Sequence, residues 1–417
     1  MALPGLYLHI PFCRSKCPYC GFTSITDLAP VPSFLGALAA EMALYRERFP
    51  AFDTIYIGGG TPSVLAAGEL EAIIGEIRKT FALPDGVEIT LEINPGGMTP
   101  GFLQASRRSG VSRLNVGVQS FDDDVLAFLG RRHTSGQAVE TILLAREAGF
   151  DSLGLDLIYG LAVVDGHDLL SLSGSSPVSL DGFPIPPSRK EHGESRGERG
   201  VPAPESLFSR WQDTLEVARS FGPEHLSCYE LTVEAGTPLA AMIATGGHAL
   251  PDEDLQYRYF LRTSEVLEEA GYIHYEVSNF AREERFRSRH NSKYWDHTPY
   301  LGLGPAAHSF DGTRRWWNHR SVAVYIQELR AGKRPVAGEE TLDTEQLRLE
   351  GLCLGLRTAA GINIREYCEN YEYDLLMERG DVIDRLVAEG HLKKQEDRLA
   401  PTRKGLAVAD AMARLLS

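Results

Sequence analysis

Three cysteines lie close together near the start of the chain, in the segment CRSKCPYC. Cys13, Cys17 and Cys20 have the spacing C-x3-C-x2-C. A structural zinc ion prefers four protein ligands and a disulfide uses cysteines in pairs, so three thiolates fit neither arrangement by themselves. Three thiolates can instead bind three irons of a four-iron cluster, which leaves the fourth iron open to another ligand. The segment therefore favours an iron-sulfur cluster with one open coordination position.

Two other interpretations of this segment stay open at the level of sequence. His9 could complete a zinc site with three cysteines, or the cysteines could be unrelated buried side chains. Free cysteine is often buried as a small apolar residue, but three within eight residues, beside a proline and a lysine, are unlike a core. The remaining cysteines are scattered singly at Cys228, Cys353 and Cys368. This is no disulfide framework, so we expect a reducing, cytoplasmic location.

Composition and length narrow the class of protein. The chain has 417 residues, of which 43% are hydrophobic and 24% charged, which is ordinary globular usage. A net charge of −15 argues against nucleic-acid binding, because that needs an excess of lysine and arginine. The apolar runs are shorter than the roughly 18 residues that a membrane-spanning helix requires. We expect one large domain and at least one smaller domain.

Strand-like runs alternate with segments of helical periodicity through the first part of the chain. The runs are LYLHI (6–10), TIYIGGG (54–60), VEITLEINP (87–95), SRLNVGVQSF (112–121), SLGLDLIYGL (152–161) and HLSCYELT (225–232). The segments between them have apolar residues at helical spacing, most clearly from 35 to 49. Six strand-helix units in succession predict a parallel α/β barrel or part of one.

Polar and glycine residues follow four of these runs. They are Gly58 to Thr61, Glu92 with Asn94, Gln119 with Ser120, and Asp156. In (β/α) barrels the loops after the strands build the active site. These positions therefore predict a binding or catalytic site.

Two later regions differ from the repeating pattern. Residues 162–205 are rich in serine, glycine, proline and charge, which predicts a disordered insertion within a domain spanning 1–285. Residues 286–417 form the second predicted domain, whose end has the pattern helix, hairpin, helix of a winged-helix-like module. Because the chain is acidic, we expect this module to pack on the barrel or cover it rather than to bind DNA.

The cysteine motif, with Tyr19 before its last cysteine, resembles the radical S-adenosylmethionine superfamily. Further segments are similar to the oxygen-independent coproporphyrinogen III oxidase group, and within it to the HemW-type haem chaperones. These segments are LYLHIPFCRSKCPYCGF, GGGTPS, LEINPG, LNVGVQSFDDDVLAFLGRRH, GLDLIYGL, HLSCYELTVEAGTPL and HNSKYW. The resemblance covers nearly the whole chain except the insertion. It implies a partial (β/α)6 barrel with a smaller, mainly helical C-terminal domain.

The resemblance also implies cofactors and the residues that hold them. A [4Fe-4S] cluster would be bound by Cys13, Cys17 and Cys20. The matched S-adenosylmethionine contacts are Tyr7, Tyr19, Gly59, Gly60, Thr61, Glu92, Gln119, Arg131 and Asp156. Carboxylates can accept from an amine or a ribose hydroxyl, and a guanidinium suits a carboxylate. The alternative for each polar residue is a surface ion pair or a strand-end cap.

Two features separate the branches of this group. Phe22 stands where the decarboxylases have a further cysteine, and few residues precede Tyr7, where the decarboxylases have an extension. HNSKYW resembles the haem-binding motif of the haem-chaperone branch, and this resemblance implies a haem site at His290, Asn291, Tyr294 and Trp295. The alternative is a structural loop in which His290 only forms hydrogen bonds.

Three hypotheses about function follow. The first is a haem chaperone that binds haem and passes it to an acceptor protein. The second is an oxygen-independent coproporphyrinogen III oxidase, so whether the chain is an enzyme stays open. The third is a structural iron-sulfur or zinc protein. The first implies a haem-accepting partner, an electron donor of the flavodoxin or ferredoxin type, no nucleic acid, and membrane contact only through the acceptor.

Overall fold

A curved sheet with helices on one face forms most of the molecule. The computed structural model describes residues 2–161, 204–246 and 250–417. The first six strands are β1 (Gly5–Ile10), β2 (Thr54–Gly59), β3 (Glu88–Ile93), β4 (Arg113–Gln119), β5 (Leu153–Tyr159) and β6 (His225–Glu230). Each of β1 to β5 pairs in parallel with the next strand along the chain. The six predicted strands are confirmed.

Helices connect these strands, as predicted. They are α1 (Val31–Tyr45), α2 (Ala67–Thr80), α3 (Pro100–Arg108), α4 (Asp123–Phe128), α5 (Ser135–Glu147) and α6 (Pro204–Ser220), with a short 3-10 helix at Pro62–Val64. Residues 162–203 of the predicted insertion lie outside the described residues, so its predicted disorder stays a prediction. No helix in the described ranges is long and apolar enough to cross a membrane.

Later strands extend the sheet at both edges. Beyond β6 come α7 (Pro238–Ala244), α8 (Glu253–Glu269), β7 (Ile273–Glu276) and β8 (Asn279–Ala281). A 3-10 turn (Glu284–Phe286) and α9 (Arg289–Trp295) lead to β9 (Tyr300–Leu303), β10 (His308–Phe310), β11 (Arg314–Asn318), α10 (Val322–Arg330) and β12 (Val336–Thr341). In the described residues twelve strands form one sheet in the order β12-β11-β10-β9-β1-β2-β3-β4-β5-β6-β8-β7. Because β1 pairs with β9 and not with β6, the barrel is partial, as expected.

The C-terminal part has its own apolar core. It contains α11 (Thr344–Leu356), β13 (Ile362–Asn363), α12 (Ile364–Tyr371), α13 (Leu375–Ala388), β14 (Leu392–Gln395), β15 (Arg398–Pro401), α14 (Arg403–Leu406) and α15 (Ala409–Leu416). Leu352, Leu375, Ile383 and Leu399 are among its buried residues. The predicted helix, hairpin, helix pattern is confirmed. The division of the chain at residue 285 stays a prediction, and β9 to β12 beyond it continue the main sheet.

The two faces of the parallel sheet have opposite chemistry. In β1 the buried side chains of Leu6, Leu8 and Ile10 pack in the core that also contains Phe34 of α1. Since successive side chains of a strand point to opposite faces, Tyr7 lies on the other face. The same alternation in β3 and β5 leaves carboxylates on that face, which therefore has the polar lining of a site.

Glu41 of α1 joins the barrel to its edge extension. Its side chain is 0% exposed. One carboxylate oxygen accepts from the Tyr325 hydroxyl at 2.6 Å and from the Gly304 amide at 2.9 Å, and the other accepts from Asn318 Nδ2 at 2.6 Å. Burial raises the pKa of Glu41 to about 7, although these hydrogen bonds act in the opposite direction.

We predict that Glu41 makes stability fall as the pH rises. A folded-state pKa above the ordinary value means that its contribution is fully present below about pH 4.5 and is lost by about pH 7. Wild-type protein should lose on the order of 2 kcal/mol more unfolding free energy over this range than Glu41→Gln, which does not titrate. Urea unfolding across the range measures both curves.

Glu47→Gln is the matched control, because Glu47 is an exposed carboxyl just beyond the end of α1. Its curve should follow that of the wild type. Parallel curves for wild type and Glu41→Gln would contradict the prediction.

Candidate functional site

A cleft of about 1450 Å³ opens at the carboxyl ends of the parallel strands. Its lining includes the cysteine segment after β1, the glycines after β2, and residues at the ends of β3, β4 and β5. The C-terminal part also contributes, through residues 406–411, Arg357 and Arg414. The cleft therefore lies where the loops of (β/α) barrels build active sites.

The cysteine segment is a closed loop with several backbone anchors. The Cys13 amide donates to the Ile25 carbonyl at 3.0 Å, and the Ile25 amide donates to the Pro11 carbonyl at 2.9 Å. Within the loop, the Cys20 amide donates to the Cys17 carbonyl at 3.1 Å. Cys13, Cys17 and Cys20 are all half-buried and line the cleft. The fold thus brings the three predicted cluster ligands to one wall.

The glycines after β2 place the chain against the start of this loop. The Gly60 amide donates to the Ile10 carbonyl at 2.8 Å, and the Thr61 amide donates to the Phe12 carbonyl at 2.8 Å. A Cβ atom on Gly60 would lie 2.6 Å from the Phe12 carbonyl oxygen. Gly59 has a φ of +107°, which L side chains rarely adopt. Gly60 is therefore required by the close approach of two backbone segments, and Gly59 by its backbone conformation and by the His9 ring, which would lie 2.6 Å from an added Cβ atom.

Two buried carboxyls lie on the cleft side of the strands. Glu92 accepts from the Tyr56 hydroxyl at 2.7 Å and from the Gly59 amide at 3.3 Å. Asp156 accepts from Asn115 Nδ2 at 2.6 Å, and its other oxygen is buried without a hydrogen-bond partner. Burial raises the pKa of Glu92 to about 7 and that of Asp156 to about 6. A cationic donor in the cleft would satisfy the free oxygen and favour ionisation.

Arg131 and Gln119 lie together at the end of β4. Arg131 Nη1 donates to Cys17 Sγ at 3.7 Å and its Nη2 donates to the Gly117 carbonyl at 2.9 Å, while its Nε is buried without a partner. Gln119 has a φ of +67°, and such left-handed backbone in a non-glycine residue is concentrated at functional sites. Tyr19 lines the same part of the cleft.

Tyr7 is half-buried and His9 is buried, and neither side chain is among those that line the cleft. The Tyr7 hydroxyl and His9 Nδ1 are 3.0 Å apart, and His9 Nε2 is 2.7 Å from the Thr23 carbonyl oxygen. Both ring nitrogens of His9 are thus engaged. In the described ranges no three His, Cys, Asp or Glu side chains converge on a single metal ion. The geometry does not support a zinc site with His9, whereas a four-iron cluster needs no such convergence, because each thiolate binds a different iron.

The HNSKYW segment lies at the opposite ends of the strands and is helical, as part of α9. His290 Nδ1 is 3.0 Å from the hydroxyl of Thr54, the first residue of β2, and Nε2 is 3.0 Å from the Tyr294 hydroxyl. The His290 amide donates to Glu88, the first residue of β3, at 3.0 Å. His290 is 1% exposed, and burial together with Lys293 lowers its pKa to about 3.

The structure therefore separates the predicted haem residues from the cysteines. His290 is neutral, which suits an iron ligand, but both of its nitrogens form hydrogen bonds. The Asn291 amide donates to the capping Ser288 hydroxyl at 3.2 Å, and the ring of Trp295 lies 5.8 Å from that of Tyr275. The haem assignment stays a prediction.

Several cleft residues were not among the assigned contacts. Asn94 accepts from Arg131, Asn115 donates to Asp156, and Arg357 enters from the C-terminal part. Tyr56, which donates to Glu92, lies outside the lining of the cleft. Asn94 was predicted to belong to the site, because it follows Glu92 by two residues on the same face of the strand, but it was given no cofactor contact. Arg357 had no signal in the sequence, since it is distant in sequence from every motif.

Comparison with known proteins agrees with this geometry. Residues 7–172 match the family model described as the radical SAM superfamily. A protein of Mycobacterium tuberculosis named "Heme chaperone HemW" is 33% identical over 99% of this chain and 94% of its own length. This chain belongs to the HemW family of radical SAM proteins. A Synechocystis protein of the same name is 31% identical over 85% of this chain and 78% of its own length.

A solved structure supports the architecture. Coproporphyrinogen III oxidase (HemN) from Escherichia coli, described as a radical SAM enzyme, superposes with a TM-score of 0.76. The superposition covers 100% of this chain and 90% of that chain at 21% identity, so it bears on the fold alone. The predicted fold class is confirmed.

We predict that Gly60→Ala disrupts the cysteine loop. The added methyl would meet two carbonyl oxygens, of Phe12 at 2.6 Å and of Ile10 at 2.9 Å, and backbone atoms cannot rotate away. We expect a loss of roughly 2–4 kcal/mol in unfolding free energy and a lower iron content after anaerobic reconstitution. Gly68→Ala in α2 is the control, because no atom lies within 4 Å of its added methyl. Equal iron content and stability in both variants would contradict the prediction.

Proposed function

We propose that this chain is a haem chaperone that carries a [4Fe-4S] cluster and S-adenosylmethionine, binds haem and transfers it to an acceptor protein. The observation that carries the proposal is the near full-length similarity to proteins named "Heme chaperone HemW". The residues of the cleft support its cofactors, as follows.

Cys13, Cys17 and Cys20 are the proposed cluster ligands. They are free thiols on one half-buried loop, and the Thr61 hydroxyl donates to Cys13 Sγ at 3.4 Å. Donors of this kind stabilise thiolates, which are the form that binds iron. When bound, a cluster with S-adenosylmethionine supplies one-electron chemistry to the site.

The S-adenosylmethionine contacts are proposed from the assigned residues, all of which line the cleft except Tyr7. Asp156 has an unpartnered buried oxygen, and burial holds the pKa of both Asp156 and Glu92 above the usual range. A ligand with a cationic amine and sulfonium would supply the missing charge. Arg131 Nη1 and Nη2 both donate within the protein, while its Nε is buried without a partner and remains available to a ligand. The other proposed contacts are Tyr7, Tyr19, Gly59, Gly60, Thr61 and Gln119.

The cleft also has room for a second ligand. Its volume of about 1450 Å³ exceeds the roughly 300–1,000 Å³ that holds one drug-sized molecule. Tyr257, Phe260 and Arg357 line the side nearest the C-terminal part. Aromatic rings and a guanidinium suit a macrocycle with carboxylate substituents.

We propose that haem contacts the residues of the HNSKYW segment, which are His290, Asn291, Tyr294 and Trp295. This contact requires a change in the hydrogen bonds of His290. His290 must release Thr54 or Tyr294 before either ring nitrogen can reach iron. His308 offers a different route, because it lies exposed on β10 with its ring stacked on Trp317 at 5.8 Å.

The partners follow from the same proposal. A haem-accepting protein receives the cargo, and a flavodoxin- or ferredoxin-type donor reduces the cluster. We place the protein in the cytoplasm, where free cysteines persist, with membrane contact only through the acceptor.

We predict that anaerobically reconstituted protein shifts the Soret band of added haem. His290→Ala should abolish the shift if the motif supplies the ligand, and His308→Ala, which removes the alternative ligand on β10, should retain it. Melting temperatures of both variants report whether the fold survives. If the Soret shift is lost in His308→Ala but retained in His290→Ala, the haem ligand is His308 on β10 and not His290.

The same preparation tests the decarboxylase alternative. Phe22, at the position of the decarboxylases' further cysteine, is 63% exposed on the cleft wall and carries no thiol. We expect no vinyl product from coproporphyrinogen III under reducing anaerobic conditions. Product formation, or wild-type protein without a Soret shift, would overturn the proposal.

A further inference from the structure

The guanidinium of Arg131 is linked by hydrogen bonds to two of the proposed cluster cysteines, Cys17 and Cys13. Arg131 Nη1 donates directly to Cys17 Sγ at 3.7 Å. Its Nη2 donates to Asn94 Oδ1 and, at 2.9 Å, to the Gly117 carbonyl. An arginine side chain has only donors, so these contacts orient the Asn94 amide with its oxygen toward Arg131.

The opposite end of Asn94 points toward the other cysteine. Asn94 Nδ2 donates to Thr61 Oγ1 at 2.9 Å, and Thr61 Oγ1 donates to Cys13 Sγ at 3.4 Å. A hydroxyl has a single proton, so when it accepts from Asn94 it directs that proton at the sulfur. All the hydrogen bonds then run in one direction, from the cation to the thiolate, and chains of this kind polarise one another.

The fold leaves space for this chain of contacts. Thr61 follows β2, Asn94 follows β3, and Arg131 lies between α4 and α5. A Cβ atom on Gly117 of β4 would lie 2.8 Å from Asn94 Oδ1 and 3.4 Å from Arg131 Nη2. The strand therefore carries a glycine where the arginine and the amide meet.

We propose that Arg131, Asn94 and Thr61 form a relay that shares one positive charge between Cys13 and Cys17 and thereby sets the reduction potential of the cluster. Asn94 is a positioning residue in this relay. The inference rests on the proposed cluster ligands, and it gives Arg131 and Thr61 a role on the thiolates in addition to S-adenosylmethionine.

The direction of the effect follows from charge. Reduction adds negative charge to a cluster, and hydrogen bonds to its sulfurs stabilise that charge, so they raise the potential. Breaking the relay should therefore lower the midpoint reduction potential of the cluster. The Cys17 contact survives when Asn94 is removed, because Arg131 Nη1 makes it directly.

The test is a spectroelectrochemical titration of reconstituted protein without S-adenosylmethionine or haem. We expect the midpoint to fall in Asn94→Ala and in Thr61→Val, and to stay near wild type in Thr61→Ser, which keeps the hydroxyl. Because the two residues act in series, the double variant Asn94→Ala with Thr61→Val should shift no further than the larger single shift.

Ser63→Ala is the matched control. Ser63 Oγ accepts from the backbone amide of Asn94 at 3.4 Å, outside the side-chain relay. The midpoint potential of Ser63→Ala should equal that of the wild type. If Asn94→Ala assembles no cluster, the relay is tested by comparing Thr61→Val with Thr61→Ser. Equal midpoint potentials in these two variants would overturn the relay.

Iron and sulfide content separate this inference from the proposed function. A wild type without four irons per chain would overturn the cluster assignment and the relay together. Unchanged midpoints in variants that hold a full cluster would overturn the relay alone, whatever the outcome of the haem titration.

Discussion

The close pairing of two backbone segments, after β1 and after β2, is the constraint on which the site depends. Gly60 and Thr61 donate to the carbonyls of Ile10 and Phe12, each at 2.8 Å. This pairing continues the parallel register beyond the strands and carries the chain directly into Cys13. Only glycine allows it, since a Cβ atom would overlap a carbonyl oxygen. The position of the thiols is therefore determined by backbone, which is stiffer than any side-chain contact.

Electrostatics shape the other side of the cleft. Two carboxyls are buried there, and burial raises the pKa of each because the charged form loses its water. The protein offers them hydroxyl and amide donors but leaves an oxygen of Asp156 free. Arg131 faces the sulfurs instead of these carboxyls. Asp156 and Arg131 therefore each keep a buried polar atom, Oδ1 and Nε, that has no hydrogen-bond partner within the protein.

The pattern of the sequence was sufficient for the parallel part of the fold. Buried parallel strands require continuous β-branched and aliphatic runs, and amphipathic helices require apolar residues on one face, so both leave a local signal. The edge strands left little signal. β9 has four residues and pairs in parallel with β1, although nearly 300 residues separate the two strands in the chain. Such pairing depends on which edge is free after the first six strands have assembled.

The sequence by itself determined the chemistry available to this protein: three clustered thiols, glycines after a strand, and carboxylates on one face of two strands. It could do so because motif spacing and strand alternation are local properties of the chain. Only the tertiary structure decided which of these groups meet. It turned Arg131 toward Cys17 and Asn94, and it placed His290 at the far end of the strands with both ring nitrogens occupied. Direction and distance depend on the packing of separate strands, and no local pattern encodes them.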